Sequence, residues 1–145
     1  MSDVNIHLAK SISEIQACYP VMRELRPHIP QESFVERVRE QQTQGYKLAY
    51  LEKDGEPVAV TGFRIGYNLA WGRFLYVDDL VSLASHRSRG YGARLLGWLN
   101  EYAVREGCGQ LHLDSGMQRK DAHRFYERES MEVSGLHFVR KLNNS

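Results

Sequence analysis

Apolar and polar residues alternate through VNIHL, residues 4–8, at the period of a strand with one buried face. The period then lengthens. In SISEIQACYPVMRELR, residues 11–26, Ile12, Ile15, Val21, Met22 and Leu25 predict a helix interrupted near Pro20, and the spacing of Ser13 and Gln16 resembles a capping box. PQESFVERVREQQTQG, residues 30–45, predicts a second helix with Phe34, Val35 and Val38 inward and Gly45 as its stop. Two β-rich runs follow, YKLAYLE and PVAVTGFRIGY, joined through Asp54-Gly55, a pair suited to a tight hairpin. NLAWG turns the chain into RFLYVDDLVSL, completing a three-stranded antiparallel meander.

From Gly92 onward the pattern is helical again. Leu95, Leu96, Leu99, Tyr102 and Ala103 share one side, Glu101 and Arg105 are spaced to pair on the other, and Gly107 is the expected C-terminal stop. QLHLDS predicts a strand, KDAHRFYERE a helix, and MEVSGLHFVRKL a closing strand or hairpin. A meander followed by alternating strands and helices predicts an α/β or α+β fold. Its mixed central sheet is expected to have about six to seven strands flanked by about four helices, with the helix after Gly92 crossing over between parallel neighbours.

The chain of 145 residues is the size of one domain, and residues 1–145 are expected to form one. Its start has no basic stretch running into an apolar one, so no secretory signal is predicted and a cytoplasmic location is expected. No apolar run is long enough to span a bilayer, so no membrane partner is expected. Cys18 and Cys108 lack CxxC spacing and read as buried thiols, and the six histidines have no H-x-x-x-H spacing, so no metal site is predicted. Net charge is +1 with the signs interspersed, which argues against a protein built to neutralise a polyanion.

One local cluster departs from that balance. HRSRGYGARLL, residues 86–96, places Arg87, Arg89 and Arg94 around Gly90 and Gly92 between a strand and a helix N-terminus. Free main-chain N–H groups and the positive end of the helix dipole converge there, and glycines let an anion approach the backbone closely. The spacing is neither a P-loop nor a G-x-G-x-x-G fingerprint.

LVSLASHRSRGYGARLL resembles motif A of the GCN5-related N-acetyltransferases, in which an Arg/Gln-x-x-Gly-x-Gly/Ala loop grips the pyrophosphate of acetyl-CoA; the matching positions are Arg87, Gly90 and Gly92. DAHRFYERESMEV resembles motif B of the same family through Ala122, Phe125, Tyr126 and Glu127. The resemblance covers roughly residues 73–142, and its details look most like aminoalkylphosphonate acetyltransferases and their relatives. Four positions depart from the family pattern: Ser88 replaces a frequent glycine, Ala84 a frequent proline, and Ser130-Met131 a Gly-Phe pair.

The resemblance implies acetyl transfer from acetyl-CoA to a primary amine, with a small-molecule acceptor as the leading expectation and a homodimer compatible with it. It implies cofactor contacts from Leu80, Val81, Ser82 and Leu83, where pantetheine pairs with main chain, and from Arg87, Ser88, Arg89, Gly90, Tyr91, Gly92, Ala93 and Arg94. Tyr126 is implied as the acid that protonates the departing thiolate.

Asp78 and Asp79 are the candidate bases, the family pattern favouring Asp79, with ordered water as the alternative. Adjacent on a strand, they are expected to point to opposite faces unless a bulge intervenes. His112 and His123 read as ordinary histidines, with a supporting role for His123 near Tyr126 as the alternative. Rival functions are acetylation of a protein or peptide amine and a silent acyl-CoA sensor. A nucleic-acid binder using Arg87, Arg89, Arg94 and Tyr91 is disfavoured by the near-zero charge.

Overall fold

The computed structural model describes residues 4–87, 89–115 and 119–142. They fall into two compact units, Met1–Leu113 and Asp114–Ser145.

In the first unit the elements run β1 (Val4–Leu8), α1 (Ile12–Ala17), α2 (Tyr19–Leu25), α3 (Gln31–Gln42), β2 (Tyr46–Lys53), β3 (Glu56–Asn68) and β4 (Gly72–Ser82). A 3-10 turn (Ala84–His86), α4 (Tyr91–Arg105) and β5 (Gln110–Leu113) complete it. The strands form one sheet in chain order. The first four are antiparallel and β5 joins β4 in parallel, so α4 is the crossover that the change of period predicts.

Local chemistry accounts for most boundaries. Ser11 caps α1, accepting from the Glu14 amide while Glu14 accepts from the Ser11 and Lys10 amides. The capping box is therefore Ser11 with Glu14, not Ser13 with Gln16, and its main-chain donors pull the Glu14 carboxyl down to about 2. Pro20 sits in the first turn of α2, where its missing N–H costs no helical bond, and this splits the expected helix into two at Cys18. Cys18 is fully buried, and burial pushes its thiol up to about 12; Cys108 is only half-buried.

The two faces of the sheet bury different elements. Tyr46, Leu48, Tyr50, Val60 and Val81 pack with Ile15, Val21, Met22, Phe34 and Val38 from α1, α2 and α3. Leu51, Val58 and Ala59 pack with Tyr91 and Leu95 of α4. Phe63 adds edge-on ring contacts to Trp98 and Tyr102 on that second face. Arg105 lies over the Tyr102 ring at 5.9 Å, where the sequence spacing suggested an ion pair with Glu101.

The second unit contains α5 (Lys120–Arg128), as predicted. Met131–Leu142, expected as a closing strand or hairpin, has no strand assignment, and Val133, Leu136, Phe138, Val139 and Leu142 are exposed. A β-prone sequence becomes a strand only through ladder partners. Among the described residues the count is thus five strands and five α-helices, slightly fewer strands than expected. The mixed α/β class stands.

Candidate active site

The site begins with a defect in β4. Gly62 of β3 faces Asp79 and the next residue, Phe63, faces Val77, so Asp78 is the extra residue of a bulge. Phe63 and its partner Val77 lie on the α4 face. Past the bulge, Leu80 joins the α4 cluster and Val81 the opposite one. Asp79 therefore lies on the side of α1–α3, away from Val77, and the two carboxylates do not face opposite ways. Both line one cavity of about 310 Å3 with Met22, Arg26, Phe34 and Tyr46.

Each carboxylate is already engaged. The Arg64 guanidinium donates twice to Asp78, from Nε to Oδ2 at 2.7 Å and from Nη2 to Oδ1 at 2.8 Å. Arg26 Nε donates to Asp79 Oδ1 at 2.9 Å, and Tyr46 Oη donates to Asp79 Oδ2 at 2.8 Å. Burial, followed by the Asp79 charge, holds the Tyr46 phenol well above its usual range, so it stays a hydrogen-bond donor.

Sequence reasoning missed Tyr46 and the reason for Gly62. A Cβ on Gly62 would fall on the Tyr46 phenol and 2.6 Å from Asp79 Oδ2. The glycine makes room for the hydrogen bond. We expect Gly62→Ala to break it and lower stability by about 2–4 kcal/mol, through overpacking plus a stranded buried hydroxyl. Urea unfolding checks this; a midpoint equal to that of the unsubstituted protein would contradict the account.

Beyond the bulge, β4 is paired to β3 through Ser82 but to β5 only through Val77. From Asp78 onward one edge of β4 has no strand beside it among the described residues. Leu80, Val81 and Leu83 keep their side chains in the core clusters, so what they offer a ligand is main chain.

The loop that follows carries the predicted anion site. Gly90 is the N-cap of α4 with φ +80°, and a Cβ there would meet only open space. Arg94 N is bonded to Gly90 O at 3.0 Å, one turn into the helix, so the amides of Tyr91, Gly92 and Ala93 precede the helical ladder. Tyr91 itself is 7 % exposed and packs in the α4 cluster, which removes its ring from any stacking role.

Arg87, Arg89 and Arg94 are exposed, and Arg87 Nη2 lies 3.5 Å from Glu24 Oε1. Arg89 lines a cavity of about 270 Å3 with Lys53, Leu83 and His86. Ser88 lies outside the described residues. Main-chain donors with nearby cations and room above the glycine suit a pyrophosphate.

Tyr126 belongs to the second unit, on α5. Burial raises its phenol above the ordinary value, and Arg119 pulls it partly back. Its ring meets Phe125 at 5.2 Å. His112, on β5, stacks on Trp71 at 3.5 Å. Among the described residues no group of three His, Cys, Asp or Glu side chains is arranged to hold a metal, and no helix is long and apolar enough to cross a membrane.

Comparisons with known proteins bear on the family and the fold. Residues 10–130 match the Acetyltransferase (GNAT) family. The uncharacterized N-acetyltransferase YhdJ of Bacillus subtilis (strain 168) is 37% identical over 124 residues, which cover 83% of this chain and 87% of that protein. The aminoalkylphosphonate N-acetyltransferase of Salmonella typhimurium is 32% identical over 98 residues, 67% of this chain and 62% of that protein. In fold, an aminoglycoside N-acetyltransferase, AAC(6')-Iy in complex with CoA, superposes with a TM-score of 0.84 at 16% identity, covering 97% of this chain and 96% of its own. The motif positions, the sheet with its crossover helix and these matches lead to one assignment: the chain belongs to the GNAT family of acetyl-CoA-dependent N-acetyltransferases.

Proposed function

We propose that this enzyme acetylates a primary amine on a small molecule, by direct attack of the amine on the thioester within a ternary complex. The observation that carries the reading is the cavity beside the β4 bulge: it holds both aspartates and adjoins the strand segment that, among the described residues, has no strand on one edge. The motif A loop, Arg87 to Arg94 with Ser88, grips the pyrophosphate; residues 80–83 hold the acyl arm through main chain. Oriented amides are also the usual device for holding the oxyanion that forms when the amine adds to the carbonyl.

The amine must lose a proton to the protein or to solvent. Asp79 and Asp78 each keep acceptor capacity beyond their arginine and tyrosine bonds, and accept that proton directly or through water. As the C–S bond breaks, Tyr126 supplies a proton to the thiolate. The mechanism fits the cytoplasm, where we place the enzyme.

Charge in the cavity narrows the acceptor. Asp79 is matched by Arg26, and Asp78 by Arg64, which is not itself part of the lining. Arg37 and His28 line the same cavity from exposed positions, and among the described residues neither has an ion partner. With both carboxylates matched, the Arg37 charge is left over, favouring an amine that also carries an anionic group, the chemistry in the name of the Salmonella relative.

The test is CoA release with 2-aminoethylphosphonate, β-alanine, ethanolamine and ethylenediamine. The two anionic amines should have kcat/KM about tenfold or more above ethanolamine, and Arg37→Ala should erase most of that advantage while leaving ethanolamine unchanged. A preference for ethylenediamine would overturn the anionic reading. Turnover of a lysine peptide alone would favour the protein-amine alternative.

A further inference from the structure

Helix α2 contributes to neither sequence motif, yet its last turn reaches β4 on both sides of residues 80–83. Glu24 Oε1 accepts from the Ala84 amide at 2.9 Å, just past that segment. Just before it, Arg26 makes two bonds with one guanidinium. Its Nε donates to the Asp79 carboxylate and its Nη2 to the Asp78 carbonyl, both at 2.9 Å. Tyr46 holds the other oxygen of Asp79, and Thr61 Oγ1 donates to the Asp79 carbonyl at 2.7 Å. The carbonyls of both bulge residues thus accept from side chains.

We propose that Arg26, seconded by Tyr46, is a positioning residue that locks the β4 bulge and thereby sets the main chain that receives the acyl arm of acetyl-CoA. This rests on reading residues 80–83 as the acyl-arm segment. Arg26 touches no reacting atom; it acts through Asp78 and Asp79. A planar fork can bond a carboxylate and a carbonyl together, whereas a lysine ammonium is a point charge on a flexible stem. Charge alone therefore does not replace it.

The consequence is a split between the two ends of the cosubstrate. Calorimetry on the whole protein, with acetyl-CoA and separately with 3′,5′-ADP, which lacks the acyl arm, reads that split. Arg26→Lys and Tyr46→Phe should each weaken acetyl-CoA by about fivefold to tenfold, the loss expected for one or two hydrogen bonds, and leave 3′,5′-ADP within about twofold. Arg26→Ala should show the larger effect; should it not fold, the two milder variants carry the test.

Equal weakening of both ligands would overturn the proposal, because a general folding or loop defect does that. So would unchanged acetyl-CoA affinity in Arg26→Lys and Tyr46→Phe. Should the unsubstituted protein bind acetyl-CoA without acetylating any amine, the function fails while the affinity split still judges the brace. An unsubstituted protein that binds neither ligand overturns the site assignment and the brace together.

Discussion

Gly90→Asp is expected to raise the dissociation constant for acetyl-CoA by about 100-fold or more, since placing a carboxylate where a pyrophosphate binds costs several kcal/mol even at an effective dielectric of ~20. The position isolates charge cleanly. A side chain there meets no protein atom, so the fold itself is little disturbed, and the backbone at φ +80° is one that asparagine also tolerates. Gly90→Asn, of the same size without the charge, carries the backbone and steric costs alone and should lose about tenfold less than Gly90→Asp. Calorimetry with acetyl-CoA measures both. Equal affinities for the aspartate and asparagine variants would mean that the pyrophosphate does not lie over this turn.

The second large effect is on rate. Tyr126→Phe should lower kcat by about 100-fold, the low end for loss of a positioned acid, with acetyl-CoA affinity within about twofold. Burial raises the Tyr126 phenol above its ordinary value. The proton-bearing form, the one that can donate, therefore persists as pH rises and is lost only above the usual ~10 for tyrosine. A kcat profile for the unsubstituted enzyme should show no loss attributable to this group through pH ~9. Full kcat in Tyr126→Phe at neutral pH would remove the tyrosine from the mechanism.

Elements whose residues carry their own instructions were legible in the sequence. The Asp54-Gly55 hairpin and the crossover helix with Leu95, Leu96 and Leu99 inward follow from local rules, although that helix starts at Tyr91 with Gly90 as its N-cap, one residue before the expected Gly92. The capping box slipped by two residues because serines stand at both 11 and 13, and only Ser11 is matched three residues on by a glutamate.

What escaped the sequence depends on pairing across strands. A bulge at Asp78 leaves no periodic trace, and it reverses which residues share a face with Asp79. Residues 26, 46, 62 and 79 meet only after three strands and a helix assemble, so neither the arginine fork nor the glycine vacancy beneath Tyr46 has a local signature. The missing closing strand has the same origin. Alternation in Met131–Leu142 reports β propensity, while a ladder requires a partner.

The account stands on amine-dependent transfer, and the most direct measurement is free thiol released from acetyl-CoA with and without 2-aminoethylphosphonate, with the acetylated amine identified by mass. The account predicts thiol release that requires the amine and matches the acetylated product mole for mole. Bound acetyl-CoA with no acetylated product from this or any amine of the panel would contradict it and favour a silent acyl-CoA sensor.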